Sequence, residues 1–313
     1  MKVHVLEPIH AAPLARLRQN AEVVDWKSPS VLELESADAV IVRAAKVDRA
    51  MMEKAPKLRV IGKHGVGLDA IDVSAARELG KEVVYTPEAN QEAVAELAVA
   101  FMMALSRKIA FGHSQLRAGA YSAVCPPELT GSELLGKTVG LVGLGRIGRR
   151  VAEILQNGFS MQAIGFDPFL SEEKFGYLGI EKAPHIEELF RRSDYISISV
   201  PLLPQTEMLV NTERLSLCKE NCILVNTARG GIVDETALYE ALKSGTLKAA
   251  ASDVFKDEPL SSHSPLLSLD NFIAMPHIGA STEESLIRMG EAVVDDVLRV
   301  LSGASPINPA PIC

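Results

Sequence analysis

Short apolar runs rich in Val, Ile and Ala recur along this chain. Between most of them the apolar positions fall three or four apart. The runs predict strands over 2–6, 38–42, 58–62, 82–85, 138–142, 161–166, 194–200, 222–226, 248–254 and 272–275. Helical spacing in the intervals makes this an alternating β–α pattern, which implies parallel sheets with crossover helices. One helix, over 92–107, is Ala-rich and polar in its interior only at Glu96, so it is expected to be largely buried. After it, about 110–136 has turn and polar character and contains "CPPEL". It reads as an inter-domain connection or as an arm reaching a partner subunit. The chain shows no fixed-period repeat and no low-complexity tract.

Composition narrows the class. A chain of 313 residues, 47% hydrophobic, can bury one large core or two ordinary ones. A net charge of −8 argues against a nucleic-acid partner, whose footprint is basic. Cys125, Cys218, Cys222 and Cys313 show neither zinc-ligand nor disulfide-framework spacing, so no metal is expected and the compartment is read as reducing. The longest apolar segment, 93–105, is too short to span a bilayer and carries Glu96. "MKVHVLEP" begins a strand rather than a signal peptide. Together these predict a soluble cytoplasmic protein.

The clearest motif is "TVGLVGLGRIGRR" at 138–150. Gly143, Gly145 and Gly148 form G-x-G-x-x-G directly after a strand and open a helix that Gly158 is expected to cap. The next strand ends at Asp167. This is the context of a dinucleotide site: the first glycine for a tight turn, the second for close approach to the pyrophosphate, the third for helix packing, with helix N–H groups facing the phosphates. Asp167 would accept the ribose hydroxyls and repel a 2′-phosphate, so NAD is favoured over NADP. "GSELLGKT" at 131–138 matches a P-loop letter for letter but lacks the preceding strand and following helix, and ATP binding is rejected. "GKHGVGLDAID" at 62–72 is a second glycine turn, whose N–H groups at Gly65, Val66 and Gly67 could hold a carboxylate before a helix starting near Asp69. Three further residues follow strands of the second half: Arg229 in "NTARGGIVDETAL", Glu258 in "DVFKDEPL" and His277 in "MPHIGAST". Each alone reads as a solvated loop residue. In an open parallel sheet, however, ligands bind outside the carboxyl ends of the strands, where all three fall.

With "VIVRAAKVD", "GVGLDAID", "VGLGRIG", "NTARGGIVDETAL", "ASDVFKDEP" and "PHIGAST" in this order, the chain resembles the D-2-hydroxyacid dehydrogenase family nearly end to end, most of all its short phosphoglycerate-dehydrogenase-type members. The resemblance implies two doubly wound α/β domains: a flavodoxin-like substrate domain, 1–95 with 286–313, and a Rossmann NAD-binding domain, 96–285. No C-terminal regulatory domain is expected. It implies a catalytic set of Arg229, Glu258 and His277. The cofactor positions are Gly143, Gly145, Arg146, Ile147, Gly148, Asp167, Thr206, Thr227, Asp253, His277 and Gly279, with Asp253 at the nicotinamide carboxamide. Helix 92–107 and its arm resemble the dimer-forming region, implying a homodimer. Lys63 and His64 stand where relatives often carry Arg and a small residue.

The chemistry implied is reversible hydride transfer between NAD and C2 of a D-2-hydroxy acid. His277 moves the hydroxyl proton, since an imidazole switches near neutral pH. Glu258 orients the ring and favours its charged form. Arg229 bridges the substrate carboxylate and the C2 oxygen, with Gly230 and Gly231 letting the chain turn. Val66 and Gly67 take the other carboxylate oxygen, and closure between domains excludes water. Arg43 and Lys63 end two strands of the substrate domain, with His64 and His10 near the same mouth. They suggest a second anion subsite, hence 3-phosphoglycerate first, with 3-sulfolactate, or hydroxypyruvate and glyoxylate reduction, as alternatives. A non-catalytic NAD-dependent regulatory protein is the rival of another class. A formate-dehydrogenase-like enzyme ranks low, since those relatives carry Gln at the position of Glu258.

Overall fold

The computed structural model describes residues 1–311, so Cys313 lies outside the described residues. The chain divides into two compact units, Met1–Ala93 with the residues from Ala280 on, and Val94–Gly279. The division falls before Ala280 rather than at 286. Gly279 is tied by its N–H to Asp253, whereas the Ser281 hydroxyl is engaged by Arg43.

The first unit is a parallel sheet of β1 (Lys2–Val5), β2 (Glu22–Asp25), β3 (Ala39–Val42), β4 (Val60–Lys63) and β5 (Glu82–Val84), in the order β2-β1-β3-β4-β5. This is the flavodoxin-like order. Strand residues alternate between two apolar layers. Ala39 and Ile41 pack with Val293, Val294 and Val297 of helix Glu283–Leu301, while Val40 and Val42 pack with Met52, Leu58 and Ala75. Burial of both faces is why these strands read as continuous apolar runs.

The second unit holds β6 (Thr138–Val142), β7 (Gln162–Phe166), β8 (Glu181–Lys182), β9 (Tyr195–Ile198), β10 (Ile223–Asn226), β11 (Ala249–Ser252) and β12 (Phe272–Ala274). They form one parallel sheet in the order β12-β11-β10-β9-β6-β7-β8. β6 lies between β7 and β9, so the winding reverses there, as in a Rossmann fold. Register then does the positioning. Phe166 pairs Val142, Val142 pairs Ile198, Ile198 pairs Asn226, Asn226 pairs Ser252, and Ser252 pairs Ala274. The segments beginning at Gly143, Asp167, Ser199, Thr227, Asp253 and Met275 therefore leave the sheet along one edge.

Several local expectations differ. β2 and β8 are not signalled, because both are short edge strands: β2 is only half-buried and carries Glu22 and Asp25 at its ends, and β8 is exposed. Of the segment expected to be turn and polar, about 110–136, the first part forms a helix, Ile109–Arg117, none of whose residues is buried, so no core-facing stripe announces it. Beyond it, among the described residues of that segment, the only regular element is the short helical turn Pro127–Leu129. Gly158 lies inside helix Arg146–Phe159, which ends at Ser160 with φ 51°. The helix expected near Asp69 begins at Val73, capped by Asp72. No helix among the described residues is long and apolar enough to cross a membrane.

Candidate active site

The glycine turn after β6 is shaped by contact. Gly143 has φ 90°, a region costly for residues with a Cβ, and a Cβ there would also lie 2.7 Å from the Ser199 carbonyl oxygen. At Gly148 a Cβ would come within 2.2 Å of the Gly143 carbonyl oxygen, so this glycine lets the helix pack on the turn itself. Gly145 precedes helix Arg146–Phe159 and has nothing within 4 Å of its Cβ position, leaving the helix N-terminus open. Ile147 packs inward against the core. Asp167 accepts the Leu144 N–H at 3.0 Å through Oδ2 and the Phe169 N–H at 3.0 Å through Oδ1. Its carboxylate is thus fixed beside the glycine turn, with lone pairs remaining on both oxygens.

The hydroxyls of Ser199 and Thr227, just past the ends of β9 and β10, and of Ser197 within β9 are buried without a hydrogen-bond partner. Buried polar groups ordinarily have partners, so an orphaned set beside a glycine turn marks a place where a polar ligand fits. Ser197 and Ser199 were not foreseen, since "YISISV" reads simply as a buried strand. The Thr206 hydroxyl, by contrast, accepts from the Leu203 N–H at 2.8 Å and donates to the Pro201 carbonyl at 2.6 Å, bracing its own turn.

Arg229, Glu258 and His277 all belong to the second unit. His277 Nδ1 lies 2.7 Å from Glu258 Oε2, and Glu258 Oε1 accepts the Phe255 N–H at 2.9 Å. Partial burial pushes the Glu258 carboxyl up. The His277 hydrogen bond, the Phe255 N–H and the nearby charges of His277 and Arg229 outweigh it, and Glu258 is held below the usual glutamate range. A carboxylate can only accept, so the ring carries its proton on Nδ1, and Nε2 is its second proton-carrying position.

His277 adopts φ 55°, strained for a residue with a Cβ. Asp253 holds it there. The Asp253 carbonyl accepts the His277 N–H at 2.8 Å, and its carboxylate accepts the N–H groups of Ile278 at 2.8 Å and Gly279 at 2.7 Å. Asp253 is buried, which raises its carboxyl above the usual aspartate range despite those donors. Arg229 is extended, at φ −146° and ψ 144°, and its Nη1 donates to the Ala228 carbonyl at 2.7 Å. A Cβ at Gly230 would lie 1.9 Å from the Phe255 carbonyl carbon, so the loop carrying Arg229 rests directly on the loop leading to Glu258.

In the first unit, Arg43 follows β3. Its N–H and those of Ala44 and Ala45 donate to Glu7 Oε2 at 2.6, 2.7 and 2.8 Å, and its Nη2 donates to Ser281 Oγ at 2.6 Å. Lys63 is buried and its ammonium donates to the Arg43 carbonyl, which braces the Arg43 turn. His64 is buried, and neither ring nitrogen makes a well-formed hydrogen bond. Burial first, then the charge of Arg43, push its pKa down to about 4. His10 caps a helix through the Ala12 N–H and pairs with Glu283. The Gly65 N–H donates to the Lys63 carbonyl at 3.0 Å, so the glycine turn retains Val66 and Gly67, not three donors, for a ligand. Among the described residues no group of three or more His, Cys, Asp or Glu could hold a metal ion.

Residues 99–279 match the model for "D-isomer specific 2-hydroxyacid dehydrogenase, NAD binding domain". The chain belongs to the D-isomer-specific 2-hydroxyacid dehydrogenase family. It is 43% identical to the D-3-phosphoglycerate dehydrogenase of Methanocaldococcus jannaschii over 97% of its own length, and spans 58% of that relative. It is 40% identical to the hydroxypyruvate reductase of Thermotoga maritima, covering 96% of this chain and 98% of the relative. The crystal structure of the TT0316 protein from Thermus thermophilus superposes with a TM-score of 0.92 at 37% identity, over 99% of this chain and 100% of that one.

Proposed function

We propose that this chain is an NAD-dependent D-2-hydroxyacid dehydrogenase whose substrate carries a second anionic group, 3-phosphoglycerate first. The observation that carries the reading is the 2.7 Å contact between His277 Nδ1 and Glu258, on the sheet edge that bears the glycine turn. The open N-terminus at Gly145, the carboxylate of Asp167 and the unpartnered hydroxyls of Ser199 and Thr227 suit a dinucleotide. When bound, NAD supplies the hydride acceptor for C2, and NADH the donor in reverse. His277 Nε2 takes the substrate hydroxyl proton, and Glu258 stabilises the imidazolium that results. Arg229 bridges the carboxylate and the C2 oxygen, stabilising charge as it develops there. Asp253 keeps the His277 loop in register and presents the nicotinamide amide with an acceptor. Arg43, braced by Glu7, Lys63 and Ser281, contacts the distal anion.

Hydroxypyruvate reduction is the second reading, favoured by the Thermotoga maritima relative, which this chain matches over 98% of that protein's length. A non-catalytic role fits less well, because binding NAD requires no His–Glu pair. A homodimer is supported by Ile109, Leu116 and Val124, exposed apolar side chains on and after helix Ile109–Arg117. A cytoplasmic location agrees with free thiols at Cys125, Cys218 and Cys222.

The test is NADH oxidation across 2-keto acids with and without a second anionic group, with the chirality of the product determined. Turnover fastest with 3-phosphohydroxypyruvate and a D-product is expected. Fastest turnover of hydroxypyruvate would select the second reading, and no turnover of any 2-keto acid would overturn both.

A further inference from the structure

Asn226 is the last residue of β10 and is buried to 2% exposure. Its side chain reaches forward into the turn it precedes. Oδ1 accepts the Ala228 N–H at 3.0 Å, and Nδ2 donates to the Arg229 carbonyl at 2.9 Å. One amide therefore fixes a donor and an acceptor on consecutive residues, which no residue lacking either group can do. The turn is closed from the other side by Arg229 Nη1 on the Ala228 carbonyl. The sheet supplies the anchor, since Asn226 pairs Ile198 on one side and Ser252 on the other.

We propose that Asn226 is a positioning residue that sets the direction in which Arg229 presents its guanidinium to the substrate carboxylate. This rests on the reading of Arg229 given above. Apart from the Asn226 and Arg229 side chains, close packing at Gly230 also locates the turn, and it fixes the height of the loop over Phe255. Asn226 instead fixes the rotation of the Thr227–Ala228 peptide, through its N–H, and of the Arg229–Gly230 peptide, through its carbonyl. A small rotation there moves the end of a long arginine side chain far enough to lose a bidentate contact, whose geometry is strict.

The experiment compares reduction of a 2-keto acid with that of its 2-keto amide, in which the carboxylate is replaced by a neutral group. Variants are Asn226→Leu, of similar volume, and Asn226→Ser, which keeps a short hydroxyl. Both are neutral, so a change cannot come from charge repelling the acid. NADH affinity is measured by fluorescence titration alongside. Either variant is expected to lower the acid-to-amide ratio of kcat/KM by about 10-fold or more, mainly through KM for the acid, with the Kd for NADH within about 2-fold of wild type. A loosened fold would instead lower both substrates and the NADH affinity together, and that result would overturn the proposal. Arg229→Gln separates the two levels. If it collapses the ratio while a folded Asn226 variant does not, Asn226 has no positioning role and the reading of Arg229 stands. If Arg229→Gln leaves the ratio unchanged, the reading of Arg229 fails and the inference fails with it. Should Asn226→Leu not fold, Asn226→Ser decides alone.

Discussion

His64 is a buried imidazole whose protonation the folded state resists. The sign follows from its lowered pKa. At about pH 7.5 the ring is uncharged in the folded chain and nearly so in the unfolded one, so its titration contributes almost nothing to stability. As pH falls below the ordinary histidine value near 6.5, the unfolded chain takes up a proton that the folded chain refuses until about pH 4. The difference corresponds to a loss of roughly 3 kcal/mol in full, of which about 2 kcal/mol is already lost at pH 5. Replacing the ring by Leu, of similar size and without polar atoms to satisfy, removes this proton uptake. Urea denaturation of wild type and His64→Leu at about pH 7.5 and about pH 5, followed by a probe in the first unit such as Trp26 fluorescence, reads it directly. Between the two pH values the variant's stability relative to wild type should rise by about 2 kcal/mol, whatever other groups titrate, since those are common to both. An equal pH dependence in the two proteins would show that His64 is protonated as readily folded as unfolded, and would refute the burial argument.

Gly230→Ala drives a Cβ into the backbone of Phe255 and Lys256, and should cost about 1–3 kcal/mol or more in urea unfolding together with most activity. Gly231→Ala, whose Cβ meets only the flexible Leu202 side chain at 3.2 Å, should be nearly silent in the same assay. With Asp167 beside the glycine turn, kcat/KM for NAD should exceed that for NADP by about two orders of magnitude, the scale of a like-charge clash. Equal values would remove Asp167 from cofactor choice. Glu258 is held below the ordinary glutamate range, so its ionised pairing with His277 persists into mild acid and is lost only as pH falls through that lowered pKa. Glu258→Gln should therefore shift the free-enzyme pH–rate profile to lower pH without abolishing turnover, and an unmoved profile would sever Glu258 from the titrating base. Arg43→Ala should weaken use of a dianionic substrate by about 10- to 100-fold, the worth of a charge-assisted contact of about 1.5–3 kcal/mol, and spare glyoxylate. Loss of both activities together would remove Arg43 from the distal subsite.

The alternation of strands and helices was legible in the sequence because both layers of each sheet are buried. Buried strands are then mostly apolar, and β6, β9 and β10 stand out as such, interrupted only by Thr138, Ser197 and Asn226. The turn between β6 and its helix was legible too, because Gly143 and Gly148 answer to contacts within a few residues. By contrast β2, β8 and helix Ile109–Arg117 bury too little to leave a periodic signal. What tertiary structure alone decided was the partner of each polar group. Lys63 reads as a strand-end cation open to an anion, and its ammonium instead braces the Arg43 carbonyl twenty residues away. Glu7 gives no sign in "LEPI" that it will hold the N–H groups of 43–45. Asn226 reads as one more residue of an apolar run. Its part emerges only in the folded sheet, where β9 and β11 hold its backbone on both sides and its side-chain amide bonds the turn ahead. Apolar periodicity is set by each segment's own exposure to water. The pairing of polar groups is set by register between strands that meet only in the folded sheet.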